Sequence, residues 1–364
     1  MESNKIHIKY KEKPRSNKNQ GENSERKFYR SNYYGLDVIN KGQMAKFTLI
    51  IKCDFEVINF EKLFLVKISE KEYTWGGEVP PEGKRTLVNL SKSEGKYNFE
   101  KTIRIESSNN KLLKNSKLTV PFVFQGGNNK ILKLEYSSKQ TDKIETKKEN
   151  KQYEINFIDI KETYGEFLIK GELKNKCKEE WFCDLTNEEI EKHLPEDYKS
   201  NKEKFKEFAE QIIKNYDEVH KDDEIKESNI AKIGKWVKEN IKYDISYKGK
   251  NTISATETLN NKVGVCHHFT KLFNALMYSL GFKCIYVSGY AIEKRDYFSS
   301  ENAHAWSLIK INGKWLPFDA TWGIFTGKLP VSHIFSSYFP EGLKATGTDS
   351  INIKPSEIKG NFLE

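Results

Sequence analysis

Residues 302–322 read NAHAWSLIKINGKWLPFDATW. Asn312-Gly313 lies between two runs of apolar and aromatic residues, the pattern of a two-residue β-hairpin turn whose central positions need φ > 0. With that turn, Ile311 faces Lys314, Trp306 faces Asp319 and His304 faces Thr321. Opposed residues share a sheet face, as do residues two apart on one strand. His304, Trp306 and Asp319 therefore fall on one face, with His304 and Asp319 diagonal neighbours within hydrogen-bonding reach. Pro317 faces Leu308 at a non-hydrogen-bonded pair, where its missing N–H breaks no ladder bond. A slip of one residue would send Asp319 to the opposite face.

Upstream, residues 264–281 read GVCHHFTKLFNALMYSLG. Phe269, Leu272, Phe273, Leu276, Met277 and Leu280 recur at helical spacing, and Gly281 suits a residue just past a helix end. Cys266 extends the same apolar face into the first turn. There the unpaired amides and the positive end of the helix dipole favour a thiolate. Gly264 lets the chain turn tightly into the helix. Cys266 as nucleophile, His304 as base and Asp319 as the group that orients the base form the arrangement of a catalytic triad.

The two stretches together resemble the transglutaminase-like superfamily, and the Trp322-Gly323 that follows Asp319-Ala-Thr most resembles its kyphoscoliosis-peptidase-type branch. The helix IGKWVKENIKYD and the approach SATETLNNKVGVC fit the same resemblance, which covers about residues 205–340. It implies a papain-like cysteine fold, with the nucleophile's helix on an antiparallel sheet, and carries Cys266, His304 and Asp319 over as the triad. The implied activity is cysteine-dependent acyl transfer on protein amide bonds, hydrolytic as in a protease or crosslinking as in a transglutaminase. A non-catalytic interaction scaffold is the alternative. Departures are visible. His267 stands where animal transglutaminases have Trp after the nucleophile, and no dense acidic loop suggests a calcium site. The spacing Cys177-x5-Cys183 lacks the second pair of a zinc motif. No metal or other cofactor is therefore expected. His267, Trp306 and Trp322 are candidates for contacting substrate or oxyanion. His333 has no motif to recommend it.

The rest of the 364-residue chain reads as β followed by α+β. Residues 1–30 hold nine Lys and Arg against four Glu and show no apolar period, which predicts a disordered basic tail. Residues 31–180 carry short β-branched and aromatic runs, among them Phe47–Lys52, Tyr97–Ile105, Ile131–Tyr136 and Glu166–Leu173, separated by turn-forming pairs. That spacing predicts a sandwich-like β-rich domain. Within it SKQTDKIETKKENK, residues 138–151, reads as a charged loop or linker. Thr186 followed by acidic residues marks a helix start, and 201–218 and 227–241 have amphipathic helical spacing. The α+β domain is expected over 186–345, with an extension at 346–364.

The net charge is +9. No aromatic-interleaved basic stripe accompanies it, so the partner expected is a protein and not nucleic acid. No run reaches the roughly 18 apolar residues of a membrane span. The opening MESNKIHIKYKEK lacks the apolar core of a secretory signal. Five cysteines, an odd and sparse set, suggest free thiols in a cytoplasmic, reducing setting, with Cys177 and Cys183 structural and Cys284 buried in a strand.

Overall fold

The structure is a computed structural model. It describes residues 94–338 and 357–363, apart from short internal stretches (110–112, 114–115, 122–125, 150–151, 182, 184, 222–227, 251–252 and 293–296), and elsewhere the backbone of strands alone. The fold is α+β.

In the first 92 residues the strands form two antiparallel sheets. One has four strands, with Ile6–Tyr10 on Tyr33–Asn40, then Lys84–Lys92 and Val57–Asn59. The other has three, with Ala45–Lys52 and Val66–Ser69 on either side of Glu72–Val79. The strand at Ile6–Tyr10 departs from the expected disordered tail. IHIKY alternates apolar and polar residues with period two, a pattern masked by the charges around it. The remainder of 1–30 lies outside the described residues, as does Cys53.

The next layer contains β1 (Glu94–Ser107), β2 (Asn129–Ser138) and β3 (Tyr164–Lys176), ordered β2-β3-β1 and antiparallel. Strict alternation along β1 buries Tyr97, Phe99, Ile103 and Ile105. A second sheet, built from Lys117–Pro121, Gln152–Ile158 and Lys143–Glu149, packs Leu118, Val120, Ile155 and Phe157 into the same core. The segment read as a charged linker is thus partly a strand, Lys143–Glu149, paired with Gln152–Ile158. As the last strand of its sheet it can keep charged side chains in solvent, and charge protects such an edge.

The helical layer comprises α1 (Tyr198–Val219), α2 (Asn229–Asn240), α3 (Ala255–Asn261) and α4 (Cys266–Ser279). Thr186 and Glu189 cap a short helix before α1 with reciprocal hydrogen bonds. Ser228 caps α2, and Ser254 with Glu257 caps α3. Then follow β4 (Cys284–Ala291), β5 (Tyr297–Ser299), β6 (Ala303–Ile311), β7 (Lys314–Phe318) and β8 (His333–Ser337). They are joined by β9 (Glu357–Phe362). The sheet under α4 has the order β7-β6-β4-β8 and is antiparallel. Its two faces are dry. Cys284 and Ile309 join the helical core, while Ile285, Val287, Trp306 and Leu308 pack beneath Trp181. The β6–β7 register pairs Ile311 with Lys314 and Leu308 with Pro317, as the Asn312-Gly313 turn requires, with φ of 50° and 82° at those two residues. Among the described residues no helix is long and apolar enough to cross a membrane.

The C-terminal extension returns to the sandwich. β9 lies between β1 and β5, and Lys344–Thr346 pairs with Lys117–Pro121. Tyr290, Ile292, Phe298 and Ile334 share a core with the strands of 94–176. The two halves of the chain are therefore packed through common side chains.

Gly289 marks the tightest crossing under the site. A Cβ there would come within 2.2 Å of the Trp306 ring and 2.3 Å of the Ile334 carbonyl oxygen. Gly289→Ala is expected to destabilise the protein by about 1–3 kcal/mol through overpacking. Urea denaturation followed by tryptophan fluorescence reads this directly; an unchanged midpoint would contradict the β4–β8 packing.

Candidate active site

Cys266 is the first residue of α4, half-buried, at the end where amides lack intrahelical acceptors. The segment before it is held by two partners. Val263–Gly264 runs parallel to Lys242–Tyr243, and the Val265 N–H donates to His268 Nδ1 at 3.0 Å. His268 is fully buried, and its Nε2–H donates to the Lys250 carbonyl at 3.0 Å. It is therefore a neutral capping imidazole, and burial holds its pKa down. Gly264 has no room for a Cβ, which would sit 2.6 Å from the His268 Cβ.

Asp319 follows β7 and is completely buried. Its backbone closes a tight turn, accepting from Gly323 N–H and Ile324 N–H, each at 2.9 Å. Gly323 takes φ 78°, a conformation that favours glycine. That turn aims two amides at the carboxylate: Thr321 N–H and Trp322 N–H donate to Oδ1 at 2.8 and 2.9 Å. The Lys238 ammonium, from α2, bonds the Thr321 carbonyl and ties the turn to the helical layer.

His304 Nε2 meets Asp319 Oδ2 at 2.7 Å. That leaves Nδ1 for the Cys266 sulfur, with which His304 forms a hydrogen bond; the Ala305 N–H also points to that sulfur. Burial disfavours the His304 cation, but the Asp319 charge and hydrogen bonds to Asp319 and Cys266 outweigh it and raise the pKa to about 10. Burial likewise pushes the Cys266 thiol up, and the His304 hydrogen bond and charge reverse the direction, leaving it below an ordinary thiol. For Asp319, burial acts upward but is overcome by His304 and His333, which hold the carboxyl far below the usual range. These shifts all act toward the thiolate of Cys266, the cation of His304 and the carboxylate of Asp319.

The other expected contact residues are distributed unevenly. His267 is half-buried beside His268, its ring 3.7 Å away, and burial chiefly lowers its pKa to about 4. Trp306 is fully buried between Trp181 and His333, so it backs the imidazoles and offers a substrate no surface. Trp322 is half-buried, its ring 5.6 Å from His304 and 4.6 Å from His333. Cys177, Cys183 and Cys284 are free thiols; burial raises Cys177 to about 12 and Cys284 well above normal.

Two residues escaped the sequence reading. His333, fully buried in β8, places Nε2 2.9 Å from Asp319 Oδ2, the oxygen that His304 uses. Tyr286 in β4 lies where the Cys266 charge reaches it, with burial the larger cause of its raised pKa. Neither stands in a short motif, and only long-range pairing brings them in. His304, Asp319 and His333 could in principle surround a metal ion, their ligand atoms lying within 4.8 Å of one another. The 2.7 and 2.9 Å contacts of both imidazoles to a single oxygen are, however, hydrogen-bond geometry.

Residues 195–320 match the family model of the transglutaminase-like superfamily. Kyphoscoliosis peptidase of Mus musculus is 28% identical over 95 residues, and that of Homo sapiens 30% over 95 residues. Each alignment covers 24% of this chain, which spans 14% of the length of these curated relatives. A solved structure from Cytophaga hutchinsonii, itself provisionally named a cysteine protease, aligns over 74% of this chain and 91% of its own. Its TM-score is 0.49 at 17% identity.

The electrostatics give a reactivity pattern. At pH 6 a thiol of pKa about 8.5 is under about 1% ionised, and the lowered pKa of Cys266 makes its thiolate fraction larger than that. Allowing for the lower nucleophilicity of a stabilised thiolate, iodoacetamide should modify Cys266 about 10–100-fold faster than Cys177, Cys183 or Cys284. The advantage should fall away as His304 loses its proton near 10 and no longer supports the thiolate. Peptide mapping after timed labelling checks this. Equal, slow labelling of all these thiols would refute the ion pair.

Proposed function

We propose that the transglutaminase-like domain carried by residues 195–320 is a cysteine-dependent hydrolase of protein amide bonds, with Cys266, His304 and Asp319 as its catalytic triad. The observation that carries the reading is the continuous set of hydrogen bonds from the Cys266 sulfur through the His304 ring to a fully buried Asp319. A neutral buried cysteine needs no such partners. The name of the curated relatives, a peptidase, agrees with this choice.

The Cys266 thiolate attacks the amide carbonyl carbon, and the carbonyl π electrons move onto oxygen. The amides of Cys266 and His267, at the first two positions of α4, can receive that oxyanion. Collapse of the intermediate breaks the C–N bond while His304 Nδ1 gives its proton to the leaving amine. The thioester is then attacked by water, from which His304 takes a proton, and the thiolate is released with the acid product. Asp319 stays ionised throughout and holds the ring so that Nδ1 meets sulfur and leaving group in turn.

Reduced, unfolded proteins supplied with excess methylamine separate the possible outcomes. Wild type should generate new N-termini or free ammonia without taking up methylamine, and Cys266→Ala should do neither. Asp319→Asn should lower the rate by about 10³–10⁴-fold, as loss of the orienting carboxylate does in related triads. Methylamine incorporation would replace hydrolysis by amine transfer. A wild type that reacts with no substrate and has a slow Cys266 would favour the scaffold reading.

A further inference from the structure

We propose that His333 and Asn175 are positioning residues of this site, forming the outer end of a chain of contacts Asn175–His333–Asp319–His304–Cys266 through which the β-sandwich holds the base in place. The inference rests on the acyl-transfer reading above.

The Asp319 carboxylate accepts four hydrogen bonds. Oδ1 takes the two turn amides, and Oδ2 takes both imidazoles, His304 at 2.7 Å and His333 at 2.9 Å. His333 therefore fills the last acceptor position on the oxygen that orients the base. Its own protonation state follows from its surroundings. The side chain is fully buried, and Nδ1 has no hydrogen-bond partner among the described residues. A cationic His333 would bury an unpaired N–H beside the His304 cation, whose ring lies 5.7 Å away. His333 is accordingly the neutral tautomer with the proton on Nε2, a donor that adds no charge to the site. Its ring is confined edge-on by Trp306 and Trp322, with centroids at 5.3 and 4.6 Å.

What fixes His333 comes from elsewhere in the chain. The buried Asn175 side chain, near the end of β3, donates through Nδ2 to the carbonyls of Val331 at 2.6 Å and His333 at 2.9 Å. The Tyr97 hydroxyl, from β1, donates to the same Val331 carbonyl at 2.9 Å. Asn175, Tyr97 and His333 all lie outside residues 195–320. The sandwich thus does more than stand beside the transglutaminase-like domain, since it anchors the strand that carries the second imidazole donor to Asp319. The ionisable groups around this pair are His304 and through it Cys266, the Lys238 ammonium on the Thr321 carbonyl, and the Tyr97 phenol.

The test uses the full chain and the rate of Cys266 alkylation by iodoacetamide from pH 3.5 to 9. Circular dichroism establishes that each variant is folded at every pH used. Loss of the His333 donor leaves the Asp319 carboxylate less firmly aimed at His304, which weakens the support of the imidazole for the thiolate, so the acid limb of the profile, where Cys266 takes a proton, should move to higher pH. We expect His333→Leu to move it by about one unit, a tenfold lower rate at a pH on that limb, while the plateau near pH 8 changes little. His333→Gln, which keeps an N–H near the Nε2 position, should leave the limb within about 0.3 units. Asn175→Leu should shift it in the same direction as His333→Leu but less. A merely space-filling His333 would change the denaturation midpoint and leave the limb where it is. If His333→Leu does not fold, His333→Asn, too short to reach Asp319, must show the shift, and an unmoved limb there overturns the proposal. Slow Cys266 alkylation in the wild type sinks the acyl-transfer reading and this proposal with it. A fast wild type with an unmoved limb in folded His333→Leu sinks this proposal alone.

Discussion

A carboxylate removed from water governs this structure. Asp319 has no exposed surface, and burial of an ionised group costs several kcal/mol unless its lone pairs are met. Four N–H donors meet them, drawn from three places: the turn that follows Asp319, β6 and β8. Each donor fixes an element. The turn must close within five residues so that its amides point inward. β6 must stand in the one register that puts His304 on the Asp319 face. β8 must bring His333 from the far side of β4. Removing one partner from a buried charge typically costs about 3–5 kcal/mol, so the arrangement is held by its own electrostatics as much as by packing.

That charge also explains the division of labour between the two faces of the central sheet. One face is covered by α4 and carries the thiol at the helix start. The other carries the imidazoles and Trp306 beneath Trp181. Cys266 meets β6 at Ala305, near the start of the strand, so the thiol and the His304 imidazole approach each other at the sheet's end and not through its core. Trp306 and Trp181 keep water from the inner side of His304, which strengthens its pairing with Asp319 by lowering the local dielectric.

The parts of this arrangement that were legible in the sequence are those fixed by neighbours along the chain. Asn312-Gly313 sets a hairpin register by local turn geometry, and the register of β6 and β7 follows it to Ser307 opposite Phe318. The stripe from Phe269 to Met277 sets the buried face of α4 by helical period. His333 was illegible because nothing within VSHIFSS distinguishes a buried donor from any strand histidine; its role exists only once β8 lies beside β4. The strand at Lys143–Glu149 was hidden by its charges, since alternation is a signal only when one face is apolar. The pairing of the extension after residue 346 was hidden because its partner, β1, is more than half the chain away.

β9 has a consequence in time. It pairs with β1 over a long sequence separation, with Asn361 and Asn98, 263 positions apart, sharing a hydrogen bond. At the roughly 5–20 residues per second of protein synthesis, β1 emerges tens of seconds or less before its partner does. For that interval one edge of the sandwich's central sheet offers unpaired N–H and C=O groups to any strand nearby. Asn175 and Tyr97 are made early as well, and wait for the Val331 and His333 carbonyls they will hold. The surroundings of Cys266 are thus a late product of folding, complete only after His333 and β9 have left the ribosome, and a ribosome-bound fragment ending before His333 carries a cysteine without its finished surroundings.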